Sequence, residues 1–211
     1  MEHWTEYSRF IIALFVILNP FAAVPMFLVL TKHYSSAEQG RIANVASVAV
    51  LIVLAITSLT GETILHSMGT SLASFRVGGG IVVLLMALSM LRAQTDSVRT
   101  TPAEKAEAED KSAIAVVPIA IPLLAGPGSI STVIIEMHRS DTQFHYLPVI
   151  GSIFVVCVLL WIVLRLAAKI GKLFGQIGLN IINRLFGLIL TAIAVEIIAN
   201  GLKELFPALL G

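Results

Sequence analysis

Charge is what this chain has least of. Asp, Glu, Lys and Arg make up 13% of its 211 residues, against roughly 25% in a soluble globular domain, so it has too little polar surface to cover itself in water. The formal net charge is +1, which leaves no basic footprint for nucleic acid. The one cysteine, Cys157, excludes an intrachain disulfide; set in an apolar run, it reads as a small hydrophobe rather than a thiolate ligand. A basic leader is missing too. Glu2 and Glu6 stand where a signal peptide carries its cations, and no small-residue cleavage pattern follows, so none is expected.

What is abundant is apolar length. Hydrophobic residues reach 57% and the mean hydropathy is +0.92, and a bilayer core needs roughly 20 apolar residues per helix. Six runs qualify: 10–31, 42–61, 70–91, 113–135, 146–164 and 185–202. The polar stretch Arg92–Lys111, with Asp96, Arg99, Glu104, Lys105, Glu107, Glu109 and Asp110, reads as a solvated connector. The expected organisation is a first three-helix unit at 1–92, a polar linker at 93–112 and a second unit at 113–211. Basic residues fix an expected orientation. Lys32, Arg41, Arg92, Arg99, Lys105, Lys111, Arg165, Lys169, Lys172 and Arg184 fall on one side; Arg9, Arg76, Arg139 and Lys203 fall on the other. The richer side is cytoplasmic on this rule, and both termini lie outside.

The first run contains an interruption, Asn19-Pro20, and the fourth contains another, Gly126-Pro127. Proline inside a helix removes a hydrogen bond and clashes with the preceding turn, at a cost of about 3 kcal/mol. In lipid the freed carbonyls have no water to turn to. The two breaks are matched: 56 positions separate Pro20 from Arg76 and 57 separate Pro127 from Arg184, and a glycine follows each arginine by three. Units of three spans must insert with opposite orientation when repeated, which is the inverted-repeat plan of many secondary transporters. The expected fold is therefore all-α: a polytopic membrane protein of six transmembrane helices in two inverted three-helix repeats, each with a broken first helix.

Asn is a favoured N-cap and Pro a favoured first helical residue. Each dipeptide thus reads as the start of a second half-helix in mid-membrane, where unpaired N–H groups suit an anion. Asn19, Pro20, Gly126, Pro127, Gly128, Ser129, Ser131 and Thr132 are the candidate substrate-binding residues. Arg76 and Arg184 bound short charge-free stretches, so the third helix must begin before Arg76; each arginine either snorkels to headgroups or ties its repeat to backbone carbonyls. Glu196 is the one acid well inside an expected span. It shares a face with Ala192 and Asn200 and is either a candidate coupling acid facing the interior or, lying past the middle of its helix, a residue near the outer interface. Glu136, at the end of the fourth run, reads as interfacial. Glycines 78–80 read as packing sites, with Ser74 and Gly78 a small-xxx-small pair, while GKLFG at 171–175 is too basic in its surroundings to serve as a dimer motif.

The stretch AIPLLAGPGSIS (120–131), with LNP at 18–20 and RLFGLIL at 184–190, resembles the MarC family of bacterial inner-membrane proteins over nearly the whole chain. The resemblance implies six spans and a multi-pass place in the inner membrane. It also implies similarity to small neutral amino acid transporters and to exporters of the LysE type. Transport of a small neutral solute, an amino acid first, is the leading expectation. No cofactor, metal or nucleic acid is expected, with the bilayer and the solute as partners and a homo-oligomer left open. Ser129 in GPGS would need a base to act as a nucleophile. His3, His33, His66, His138 and His145 all stand at run ends or in loops, so an intramembrane hydrolase is a poor reading, and the chain is not expected to be an enzyme. A metal-ion exporter would need ligands gathered in the spans. A structural or regulatory membrane protein would leave the paired breaks without a use.

Overall fold

The computed structural model describes residues 2–92, 124–139 and 145–207. Among them are seven helices and no strand: α1 (Glu2–Leu18), α2 (Pro20–Leu30), α3 (Ser36–Ser67), α4 (Leu72–Leu91), α5 (Pro127–Met137), α6 (Tyr146–Arg165) and α7 (Ala167–Leu205). Five stretches are long and apolar enough to cross a membrane: Glu6–Leu30, Ser36–Ser67, Leu72–Leu91, Tyr146–Arg165 and Ile177–Leu205. Of the expected run 113–135, residues 113–123 lie outside the described residues, as does the linker at 93–112.

Helices end where caps end them, and hydropathy alone does not mark that point. The run 42–61 belongs to a helix of 32 residues, about 48 Å at 1.5 Å per residue. Its start is a capping box: the Glu38 amide donates to Ser35 Oγ, and Glu38 Oε2 accepts from the Ser35 amide at 2.8 Å. Its stop is Gly69 at φ +68°, a left-handed position natural for glycine. The run 185–202 likewise belongs to a longer helix, α7, bent at Gly175, whose φ of 56° no helix interior holds.

Two antiparallel pairs build the frame. In the first, α4 and α7 approach so closely that a Cβ on Gly80 would stand 2.6 Å from Ile198 Cγ1, and one on Gly201 3.0 Å from the Ala73 carbonyl oxygen. At the other end of the same pair Gly187 meets Met90. In the second, α3 and α6 bring Gly40 against Arg165, and Trp161 Nε1 donates to Asn44 Oδ1 at 2.7 Å. The short helices fill the space between the pairs: α2 packs on α6 and α7, and α5 packs on α3 and α4. Of the glycine triplet, Gly79 and Gly80 make close contacts while Gly78 faces open space. The expected Ser74–Gly78 packing pair is thus displaced by one residue, and Ser74 instead bonds Ser71 in the N-cap of α4.

Away from the breaks, the helix ends sort by their contacts. α1 begins, α3 ends, α4 begins, α5 ends, α6 begins and α7 ends together, as the contacts Tyr7–His145, Glu62–His138 and Arg76–Glu204 require. This is called the amino end here. α2 and α6 finish at the opposite end, against the start of α3, while α4 stops level with the first break, where Met90 meets Asn19.

Candidate functional site: two proline-led half-helices

Both half-helices are 11 residues long and both start on proline. At the first, α1 stops at Leu18 and Asn19 turns left-handed (φ 46°, ψ 63°), the one non-glycine residue with positive φ among the described residues. Asn tolerates this conformation better than most side chains. Its Oδ1 accepts from the Ala22 amide at 3.3 Å, and its Nδ2 points to Met90 Sδ of α4 at 3.6 Å. Phe15 and Phe21 flank the break and meet Phe186 of α7 edge-on, with centroids 6.3 and 5.7 Å away. Asn19 and Pro20 are fully covered.

At the second, Gly126 precedes Pro127 with extended backbone and no side-chain cap. The hydroxyls that follow turn inward on their own helix. Ser129 donates to Gly126 O at 2.9 Å, Ser131 to Pro127 O at 2.8 Å and Thr132 to Gly128 O at 2.8 Å. All three side chains are buried, and Pro127 is exposed. A Cβ on Gly128 would lie 3.0 Å from Met86 Sδ, 3.2 Å from Val83 and 3.6 Å from Ile17; one on Gly79 would lie 2.6 Å from Ser131 Cβ. The two breaks therefore converge on one face of α4, where Met86 and Met90 stand one turn apart within an apolar cluster with Val16, Ile17, Leu190 and Ala194. The first helix start is covered and the second leaves Pro127 exposed. A cavity of about 350 Å³ lies toward the opposite end, lined by Pro25, Leu28, Ala168, Gly171, Lys172, Gly175 and Leu179.

A second constellation sits where α5 ends. His145 Nε2 meets the Glu136 carbonyl oxygen at 2.8 Å, and its Nδ1 meets the Tyr7 hydroxyl at 3.0 Å. A carbonyl only accepts, so Nε2 carries the proton; in the neutral ring Nδ1 then accepts from Tyr7. His138 pairs with Glu62 of α3 at 3.0 Å, and Arg139 lies 3.6 Å from Glu136 Oε2 and 3.9 Å from Glu6. Glu136 is 8% exposed and its Oε1 has no hydrogen-bond partner among the described residues. Lying outside the five spans, its carboxyl is pushed up from the ordinary range by burial, against the opposing pull of Arg139 and His145.

The family model for MarC family integral membrane proteins matches residues 4–206. The chain belongs to the MarC family. It is 36% identical over 208 residues to the UPF0056 membrane protein YhcE of Escherichia coli, covering 97% of this chain and 95% of that one. It is 38% identical over 192 residues to the UPF0056 membrane protein MJ1677 of Methanocaldococcus jannaschii, covering 90% and 93%. With the UPF0056 membrane protein YvbG of Bacillus subtilis it shares 36% identity over 199 residues, 94% of each chain. No solved structure matches it.

In this MarC protein the candidate residues separate into two groups. Asn19, Pro20, Gly126, Gly128, Ser129, Ser131 and Thr132 are buried together around Met86 and Met90. The ionisable candidates are elsewhere. Arg76 joins the carboxylate of Glu204, a pair between α4 and α7, rather than backbone carbonyls of its own half, and Arg184 is exposed on α7. Glu196, read as a coupling acid facing the interior or as a residue near the outer interface, is exposed together with Ala192 and Asn200. Periodicity places these three on one face, but that face points outward, because α4 occupies the other side of α7. Glu136, expected at the interface, is buried. Its backbone carbonyl is held by His145, which in turn meets Tyr7, 138 residues away. Phe186, inside the RLFG motif, seals the first break, a role that nothing in its local sequence signals.

Proposed function

We propose that this MarC protein is a secondary transporter or exporter of small neutral solutes, amino acids being the first class to test, that works by alternating access and has no enzymatic activity. The observation that supports this most is the pair of equal, proline-led half-helices, each packed on the second and third helices of the other half. A two-fold axis in the membrane plane would exchange α2 with α5, α3 with α6 and α4 with α7. It would carry the packing of α2 on α6 and α7 into that of α5 on α3 and α4. On this reading α5 is the second half of a sixth span, 113–135, and the amino end faces the periplasm of an inner membrane.

The chemistry at the breaks suits a zwitterion. N–H groups at a helix start favour a carboxylate. Hydroxyls that donate to their own helix keep lone pairs for an ammonium group, and Ser129, Ser131 and Thr132 all do so. Thioethers adapt to apolar side chains of different shape. A structural or regulatory role gives neither break a use.

Uptake of radiolabelled alanine, glycine or serine by proteoliposomes tests the reading. The informative variant is Asn19→Gly, because glycine keeps the left-handed backbone while removing the side chain. Uptake is expected to fall at least tenfold with insertion unchanged. Undiminished uptake would place the site elsewhere.

A further inference from the structure

The buried carboxyl at the end of α5 has one oxygen facing Arg139 and another facing no donor. A carboxylate withdrawn from water with an unsatisfied oxygen is a poor resting form, and a protonated one makes that oxygen a donor or leaves it a weak acceptor. Among the described residues, α1 brings Glu6 and Tyr7 to this end; α3 brings Glu62, which pairs with both His66 and His138; α5 brings His138 and Arg139; α6 brings His145. α4 brings Arg76 to this end, where Glu204 neutralises it. Arg139 is itself half exposed and divided between Glu136 and Glu6. It is a shared and partly solvated counter-charge.

We propose that Glu136 is a proton-binding site, holding a proton while α5 is clasped by His145 and Tyr7 and releasing it to water at the amino end when that clasp opens. Opening brings water to the carboxyl and leaves Arg139 beside it, so the ionised form gains in the open state and the neutral form in the closed one. A ligand bound unequally by two conformations shifts their balance. The proton is therefore coupled to the opening of this end. That it also drives solute movement rests on the transporter reading above; the proton site itself does not.

Infrared difference spectroscopy on the purified full chain in nanodiscs reads the site without any solute. The C=O stretch of a protonated carboxyl is expected at neutral pH, fading as pH rises. It should be absent from Glu136→Gln and kept in Glu196→Gln. A band that survives in Glu136→Gln, or no such band in the native protein, overturns the proposal. Should Glu136→Gln fail to reach the membrane, Arg139→Gln decides, since loss of the cation must move the titration to higher pH; an unmoved titration overturns the site. In proteoliposomes an imposed proton gradient is expected to accelerate alanine uptake several-fold, and Glu136→Gln to retain alanine exchange but lose the response. An equal response in the variant refutes coupling. If no preparation takes up any solute, transport and coupling fail together, while the infrared titration still decides for or against the proton site.

Discussion

The far ends of the two half-helices are fastened differently. At the opposite end, α2 finishes at Thr31, whose carbonyl oxygen accepts from Gln39 Nε2 at 3.0 Å; the same amide reaches Tyr34 O at 3.3 Å. At the amino end, α5 finishes on Glu136, whose carbonyl oxygen accepts from His145. Both fasteners sit at the start of the following long helix and both hold the last carbonyls of a half-helix, which have no partner of their own. One is a neutral amide and the other an imidazole in a nest of acids and bases. Matched backbone geometry thus carries unmatched chemistry.

The largest expected effect separates the seats of the half-helices. Gly79→Ala sets a methyl 2.6 Å from Ser131 Cβ, close to the backbone of α5, with little room to yield. It should cost about 1–3 kcal/mol and lower the thermal midpoint in detergent. Gly171→Ala, on the α2 side, meets the tip of the flexible Leu28 side chain and should cost much less. Equal losses would mean that the two seats are equally rigid.

Next in size is the pair of fasteners. His145→Ala strands the Glu136 carbonyl and the Tyr7 hydroxyl and should cost about 2 kcal/mol, read as faster hydrogen exchange confined to the last turn of α5. Gln39→Ala should loosen the last turn of α2 by about 1 kcal/mol. Exchange that quickens in both half-helices in either variant would show that they move as one body.

The smallest effect concerns the capping box of α3. The Ser35 hydroxyl and amide donate to the Glu38 carboxylate at 2.7 and 2.8 Å. Ser35→Ala should cost about 0.5–1 kcal/mol, read as faster hydrogen exchange confined to Ala37–Gly40. Unchanged exchange there would mean that the cap adds nothing to the start of α3.

What was legible in the chain was local grammar. Asn19-Pro20 announces a cap and a helix start within two residues, and that is what forms. Asn19's left-handed turn was not legible, because the same dipeptide caps helices from extended backbone as well. The long helices were legible as apolar runs but not in extent, since Ser35 and Gly69 set the limits of α3 and neither is apolar. Glu196 and Glu136 mark the harder limit. A period of 3.6 tells which residues share a face, and only a neighbouring helix tells which way that face points. Glu136 is buried where Tyr7 of α1 and His145 of α6 meet at the end of α5, and no window of sequence spans all three.

The ion pair between Arg76 and Glu204 joins residues 128 positions apart. Arg76 stands in the second turn of α4, and its partner is among the last described residues of α7. While the chain is being made, α4 is in place long before α7 exists, and the flat glycine face of Gly79 and Gly80 waits without α5 or Ile198 to cover it. Contacts of such long separation form late. Closure of α4 on the end of α7 therefore waits until both have been made, and a chain cut short before Glu204 leaves Arg76 without this partner.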